Sequence, residues 1–162
     1  YLTNEGRPLK RKLSYGTVTF ELFWEHLSDH CDISIPASEA REQWISLYEQ
    51  WFIRHKAFSR QRILRFCGDT KPPPLLCVLS NTSELVFEAA YRADLFEGFD
   101  DDLVIGSFQV HSCKPEDAIF NTLITRLASK GIAPSKCLFI DNKSENTATA
   151  ALKGFNIHTF SQ

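Results

Sequence analysis

Apolar residues in the first part of the chain recur with the period of a helix. Phe20 to Leu27 follows Thr19, a residue type that caps helix N-termini, and Glu21 stands in the first turn, where a negative charge is favoured. From about Ser38 to His55, Trp44, Leu47, Tyr48, Trp51 and Phe52 fall at i, i+3, i+4, i+7 and i+8, which predicts a helix with one buried stripe. A third helix is predicted over about Ser59 to Cys67, ended by Gly68. The turn-rich run from Gly68 to Pro74 then separates a helical lobe, residues 1–70, from a second part, residues 71–162.

Beyond the prolines the period changes. Leu75 to Leu79 is a continuous apolar run of the kind found in a parallel strand buried on both faces. A helix follows near Ser83 to Ala93, with Leu85, Val86, Ala89, Ala90 and Ala93 on one side. Leu103 to Ile105 reads as a second strand. Pro115 suits the first position of a helix whose stripe is Ile119, Phe120, Leu123, Ile124 and Leu127 and whose end is Gly131. Cys137 to Ile140 is a third strand, followed by a helix through Ala148, Ala151 and Leu152 to Gly154, and Ile157 to Phe160 is the last strand. This alternation predicts the α/β class: a Rossmann-like, doubly wound parallel sheet behind an N-terminal α-helical subdomain.

Composition excludes several classes. Of the 162 residues, 43% are hydrophobic and 23% charged, an ordinary globular mixture that rules out disordered, collagen-like and coiled-coil chains. A formal charge of −2 provides no whole-molecule field for nucleic acid or an anionic membrane, so neither is expected as a partner. No apolar run reaches the roughly 20 residues of a membrane span. The 5 cysteines (Cys31, Cys67, Cys77, Cys113 and Cys137) are odd in number and widely spaced, as in a reduced, cytoplasmic protein rather than a disulfide framework.

Ligands of such sheets bind at the carboxyl ends of the strands. Those ends carry Ser80-Asn81 and Asp141-Asn142, and Lys114-Pro115 opens the helix between them. A hydroxyl beside backbone N–H groups, an ammonium and a carboxylate converging on one crevice suit a phosphate held next to a divalent cation.

The runs VLSNTSELV, SCKPEDAIFNTL and CLFIDNKSENTATAALKGF resemble the second, third and fourth motifs of the haloacid dehalogenase superfamily, in order and in register over about residues 75–162. The helical lobe of residues 15–67 is similar to the small cap that this family inserts before its second motif. The resemblance implies that Ser80 and the Asn81 N–H bind the transferring phosphoryl group, that Lys114 neutralises it and orients the nucleophile, and that Asp141 binds Mg2+. Asn142 stands where the family often has a second acid. Glu145 and Asn146 are candidates for support, Asn146 matching the family's asparagine. An acid at Asp141 argues against the metal-free 2-haloacid dehalogenases, which typically carry serine there.

The nucleophile motif, an apolar strand ending in D-x-D, is not found. Asp100 to Asp102 has the spacing, but its apolar run comes after it, and Asp29 and Asp32 have no strand before them. The chain also has no Met and begins with Tyr1. The expectation is that the nucleophile lies upstream, on a central strand between those ending at Leu79 and Ile140. The resemblance thus implies a Mg2+-dependent phosphatase acting on a small phosphorylated metabolite, as a monomer or homodimer. Its alternative is a non-catalytic relative that binds without turnover, with a dehalogenase third. Other features have plainer readings: Cys113 as a bystander thiol, His111 as a loop residue, Arg54, His55, Lys56, Arg60, Arg62 and Arg65 as a solvated face, and the aromatic stripe as core.

Overall fold

The computed structural model describes residues 6–68 and 74–160. The helical lobe consists of α1 (Gly6–Ser14), α2 (Phe20–Cys31) and α3 (Ala37–Cys67). Thr19 caps α2, its hydroxyl accepting from the Leu22 N–H. The two helices expected between Ser38 and Cys67 are one, because no proline or glycine interrupts residues 37–67 and Ser59 alone does not end a helix. The break expected over Gly68 to Pro74 falls largely on residues 69–73, outside the described residues, as do the side chains of Lys56, Arg60 and Arg62 in the basic stretch; Arg54, His55 and Arg65 are exposed.

The α/β part follows as β1 (Val78–Ser80), α4 (Glu84–Arg92), β2 (Val104–Gly106), α5 (Ser107–Val110), α6 (Asp117–Ser129), β3 (Leu138–Asp141), α7 (Ser144–Leu152) and β4 (Asn156–Thr159). Both strand pairs are parallel: β1 with β2, Ser80 facing Gly106, and β3 with β4, Asp141 facing Thr159. Among the described residues they form two separate two-stranded sheets, with no strand bonded between β1 and β3. One apolar core joins them from behind, built from Leu103, Ile105, Ile119, Phe120, Leu123, Leu127, Phe139, Ala150 and Phe155. Pro115 does not open α6. The Lys114–Pro115 peptide is cis and lies in a turn closed by the Glu116 N–H on Cys113 O, so α6 begins at Asp117.

A second core, Phe20, Phe23, Trp24, Ala40 and Ile45, belongs to the lobe and is completed by Leu85 and Ala89 of α4. The lobe therefore buries its apolar face on the α/β part, and the contact is flanked by Arg41–Glu88 at 2.6 Å and Arg92–Glu42 at 2.9 Å. This placement corrects the expected stripe of α3. Ala40 and Ile45 are buried and Trp44 and Phe52 pack at the margin, whereas Leu47, Tyr48 and Trp51 face solvent, Trp51 with 54% of its surface exposed. α2 and α4 cover only one side of α3, and the periodicity marks an apolar sector wider than they reach. The face of α7 is also rotated from expectation: Asn146, Thr147 and Ala150 are buried, while Ala148, Ala151 and Leu152 are exposed. No helix among the described residues is long and apolar enough to cross a membrane.

The turn after α1 is pressed onto α5. Gly16 has φ +62°, and a Cβ there would overlap the Phe108 carbonyl oxygen. Gly16→Ala is expected to cost more than about 1 kcal/mol, from the left-handed backbone and the overlap together. A urea unfolding midpoint equal to that of the parent chain would show that this contact is not made.

Candidate phosphate-binding site

Three loops at the carboxyl ends of the strands meet at Lys114. β1 ends at Ser80, half-buried, and hands Asn81 to the turn that leads into α4. The Asn81 side chain grips the Lys114 backbone from both sides: Nδ2 donates to Lys114 O at 2.8 Å, and Oδ1 accepts from the Lys114 N–H at 2.7 Å. The lysine side chain then crosses to the other sheet. Its Nζ donates to Asp141 Oδ2 at 2.7 Å and lies 5.6 Å from the centre of the Phe139 ring, within cation–π range. The sole ion pair linking β3 to the β1 side among the described residues is thus formed by two groups expected at the site.

Asp141 is 7% exposed, and Lys114 11%. The second carboxylate oxygen of Asp141 accepts from the Lys143 N–H at 2.9 Å and from Asn146 Nδ2 at 3.0 Å. Burial by itself would push this carboxyl up. The Lys114 ammonium, the Lys143 N–H and the Asn146 amide outweigh it and hold the group below its ordinary value. Asn146 owes its place to the first turn of α7, five residues beyond Asp141, and its Oδ1 is buried without a hydrogen-bond partner among the described residues. Asn142 and Glu145 are exposed. Ser80, Asn81, Lys114, Asp141 and Asn146 therefore share one end of the molecule, and Asn142 and Glu145 lie on its outer rim.

The Asp100-x-Asp102 pair sits at the opposite end of the sheet. Asp100 caps the short turn that feeds β2, its carboxylate accepting from the Asp102 N–H, and Lys130 bridges Asp100 at 2.9 Å and Asp102 at 3.3 Å. Its role is to start a strand.

Ser107 joins the site without being among the residues expected there from the sequence. It is fully buried at the carboxyl end of β2. Its hydroxyl accepts from the Thr82 N–H at 2.9 Å and has one proton to share between Ser14 O at 2.6 Å and Thr82 O at 3.0 Å. Its signal in the sequence is that Gly106-Ser107 ends a strand as Ser80-Asn81 does. On the lobe side, Tyr15 donates to Glu116, whose other oxygen accepts from Ser112 Oγ and the Cys113 N–H, and these bonds hold the Glu116 carboxyl below its usual range. His111 Nδ1 lies 2.8 Å from Tyr15 O. His111 is thus a contact between lobe and loop, and Cys113 is buried beside it.

No family model matches the chain, and no curated protein matches it by sequence. Solved structures do match. A HAD family enzyme of Bacteroides thetaiotaomicron, solved as a magnesium complex, superposes with a TM-score of 0.66 at 18% identity over 93% of this chain and 73% of that one. An aspartate-to-alanine variant of the same enzyme, with magnesium and inorganic phosphate, gives a TM-score of 0.64 at 17% identity over 96% and 76%. A predicted HAD-like family hydrolase of Porphyromonas gingivalis gives 0.59 at 23% identity over 93% and 70%. The likeness spans nearly the whole chain, and the chain has the haloacid dehalogenase (HAD) fold.

Proposed function

We propose that this chain is the cap and most of the core of a Mg2+-dependent phosphatase acting on a small phosphorylated metabolite. The observation that carries this reading is the largely buried Lys114–Asp141 pair at the carboxyl ends of the strands, tied to the loop after Ser80 through Asn81. In such a site the Ser80 hydroxyl and the Asn81 N–H would hold the phosphoryl oxygens, and the Lys114 ammonium would answer their charge. The attacking carboxylate would come from an aspartate on a strand between β1 and β3, upstream of Tyr1, forming a phospho-aspartate that water then hydrolyses.

The donor set suits Mg2+, which binds through one or two carboxylates together with phosphate oxygens and water. A carboxylate offers about four acceptor positions. Oδ1 of Asp141 uses two, for Lys143 and Asn146, and Oδ2 uses one, for Lys114. The position left is on Oδ2. Among the described residues no three His, Cys, Asp or Glu side chains gather to hold a metal, and Asp141 would supply one ligand. When bound, Mg2+ would offset charge on the phosphate during in-line displacement.

A second reading, a HAD-like protein that binds without turnover, is favoured by one observation: Asp141 is the single aspartate at a strand's carboxyl end among the described residues. Turnover of p-nitrophenyl phosphate by the protein carrying its upstream sequence separates the two. Hydrolysis that needs Mg2+ and falls about 10²–10³-fold in Lys114→Ala supports the phosphatase. Binding of inorganic phosphate with no turnover in any metal supports the second reading.

A further inference from the structure

We infer that Asn81 serves the site through its side chain, as the positioning residue of Lys114, with Ser107 fixing the loop from which it works. This rests on the phosphatase reading and adds to it a role that the backbone N–H of Asn81 does not have.

Lys114 follows β2 and α5 and stands at the head of a turn, where its own backbone has no strand or helix to hold it. Its N–H and C=O would otherwise be satisfied by water. Instead one amide takes both: Asn81 Oδ1 and Nδ2 bond them at 2.7 and 2.8 Å. An amide is the side chain for this task, because it carries an acceptor and a donor side by side. A carboxylate would lack the donor, and a hydroxyl is too short to reach both.

The amide works only if its own loop is rigid. Thr82, the next residue, donates its N–H to the fully buried Ser107 hydroxyl, whose one proton is shared between Ser14 O of the lobe, the nearer acceptor, and Thr82 O. From the far side Tyr15 grips Glu116, two residues beyond Lys114. The Lys114 turn is therefore held between the β1 loop and the lobe, and its ammonium arrives 2.7 Å from Asp141. A misplacement of about 1 Å in a reacting group can cost on the order of 10²-fold in rate.

Hydrogen exchange tests the grip without reference to activity. In the chain Tyr1–Gln162, Asn81→Ala is expected to speed exchange of the Lys114 amide about 5–10-fold, the equilibrium worth of one hydrogen bond, while the amides of Ile105 and Phe120 exchange as before. Asn81→Leu, close in volume and without hydrogen bonds, gives the same measurement should alanine fail to fold. Unchanged Lys114 exchange overturns the inference.

The second arm is a double-mutant cycle on p-nitrophenyl phosphate with Mg2+, run in the protein carrying its upstream sequence, which is the parent here. Asn81→Ala is expected to lower kcat about 10–100-fold in the parent protein and less than about 3-fold in a Lys114→Ala background. Equal losses in both backgrounds would make Asn81 a direct phosphate ligand and overturn the inference. A parent protein with no turnover sinks the phosphatase reading instead, and the exchange result still decides whether Asn81 holds Lys114.

Discussion

Replacing Lys114 by alanine is expected to destabilise the chain by about 3 kcal/mol at pH 7, the low end of the cost of stranding one partner of a buried ion pair. The Asp141 carboxylate stays behind, 7% exposed, with two donors in place of three. The Lys143 N–H and the Asn146 amide keep the loss from being larger. Lys114→Ala combined with Asp141→Asn should recover a good part of it, because the neutral amide no longer needs the ammonium. Urea unfolding of the two variants and the parent at pH 7 checks this. A Lys114→Ala variant within about 0.5 kcal/mol of the parent, the spread of an ordinary surface change, would mean that the pair is not formed.

The same pair sets an acid dependence. Asp141 is held below its unfolded value, so its contribution is complete above the unfolded pKa of about 3.9 and is lost as pH falls through the lower folded value. Lys114→Ala removes the largest favourable part of that shift. The stability difference between parent and variant should therefore shrink on acidification and vanish once Asp141 is protonated in both. A difference that stays constant from pH 7 to pH 3 would contradict the assignment.

The second large effect concerns the sheet. Among the described residues β1 and β3 each have a partner on one side only, and three apolar side chains of the β3–β4 pair remain open: Leu138 is 45% exposed, Ile140 44% and Ile157 43%. Full burial of such a side chain is worth about 1.5–3 kcal/mol, so half-exposure of these positions forgoes several kcal/mol. That is a large share of the roughly 5–15 kcal/mol that holds a domain folded. The chain Tyr1–Gln162 alone is expected to unfold below about 45 °C, the lower edge for mesophile domains, to bind a hydrophobic dye, and to associate through its open strand edges as concentration rises. Supplying an apolar strand between β1 and β3, by extending the chain upstream, should raise Tm by about 10 °C or more, at roughly 2–4 °C per kcal/mol for this size. Cooperative unfolding above about 45 °C without dye binding would show that the two sheets are already complete.

Much of the architecture was legible because helices and strands of this chain differ in period. The change after Pro74 separates the lobe from the α/β part, and the short apolar runs mark all four strands to within a few residues. Errors arose where a pattern is necessary but not sufficient. Leu47, Tyr48 and Trp51 keep a perfect helical spacing and face solvent, since which arc of α3 is covered depends on where α2 and α4 lie. On α7 the alanines suggested the inner face, yet Asn146 and Thr147 take it, because Asp141 and Thr159 provide hydrogen bonds there at 3.0 and 2.7 Å. The site shows the same division. Ser80 and Asp141 are legible as strand ends from the apolar runs before them, whereas Lys114, expected just before a helix, stands in a turn. Ser107 follows the end of β2 as Asn81 follows that of β1, and its partners Thr82 and Ser14 are brought to it only by the fold.

By itself, then, the sequence determined the α/β alternation, the helical lobe and the residue types brought to the strand ends, since these follow from local periodicity and from short motifs in fixed order. Tertiary structure alone decided that the Asn81 amide holds the Lys114 backbone, that Lys114 reaches Asp141 across the two sheets, and that Ser107 ties the β1 loop to the lobe. Those bonds join residues tens of positions apart, and no local pattern records which polar groups will meet once the apolar faces have packed.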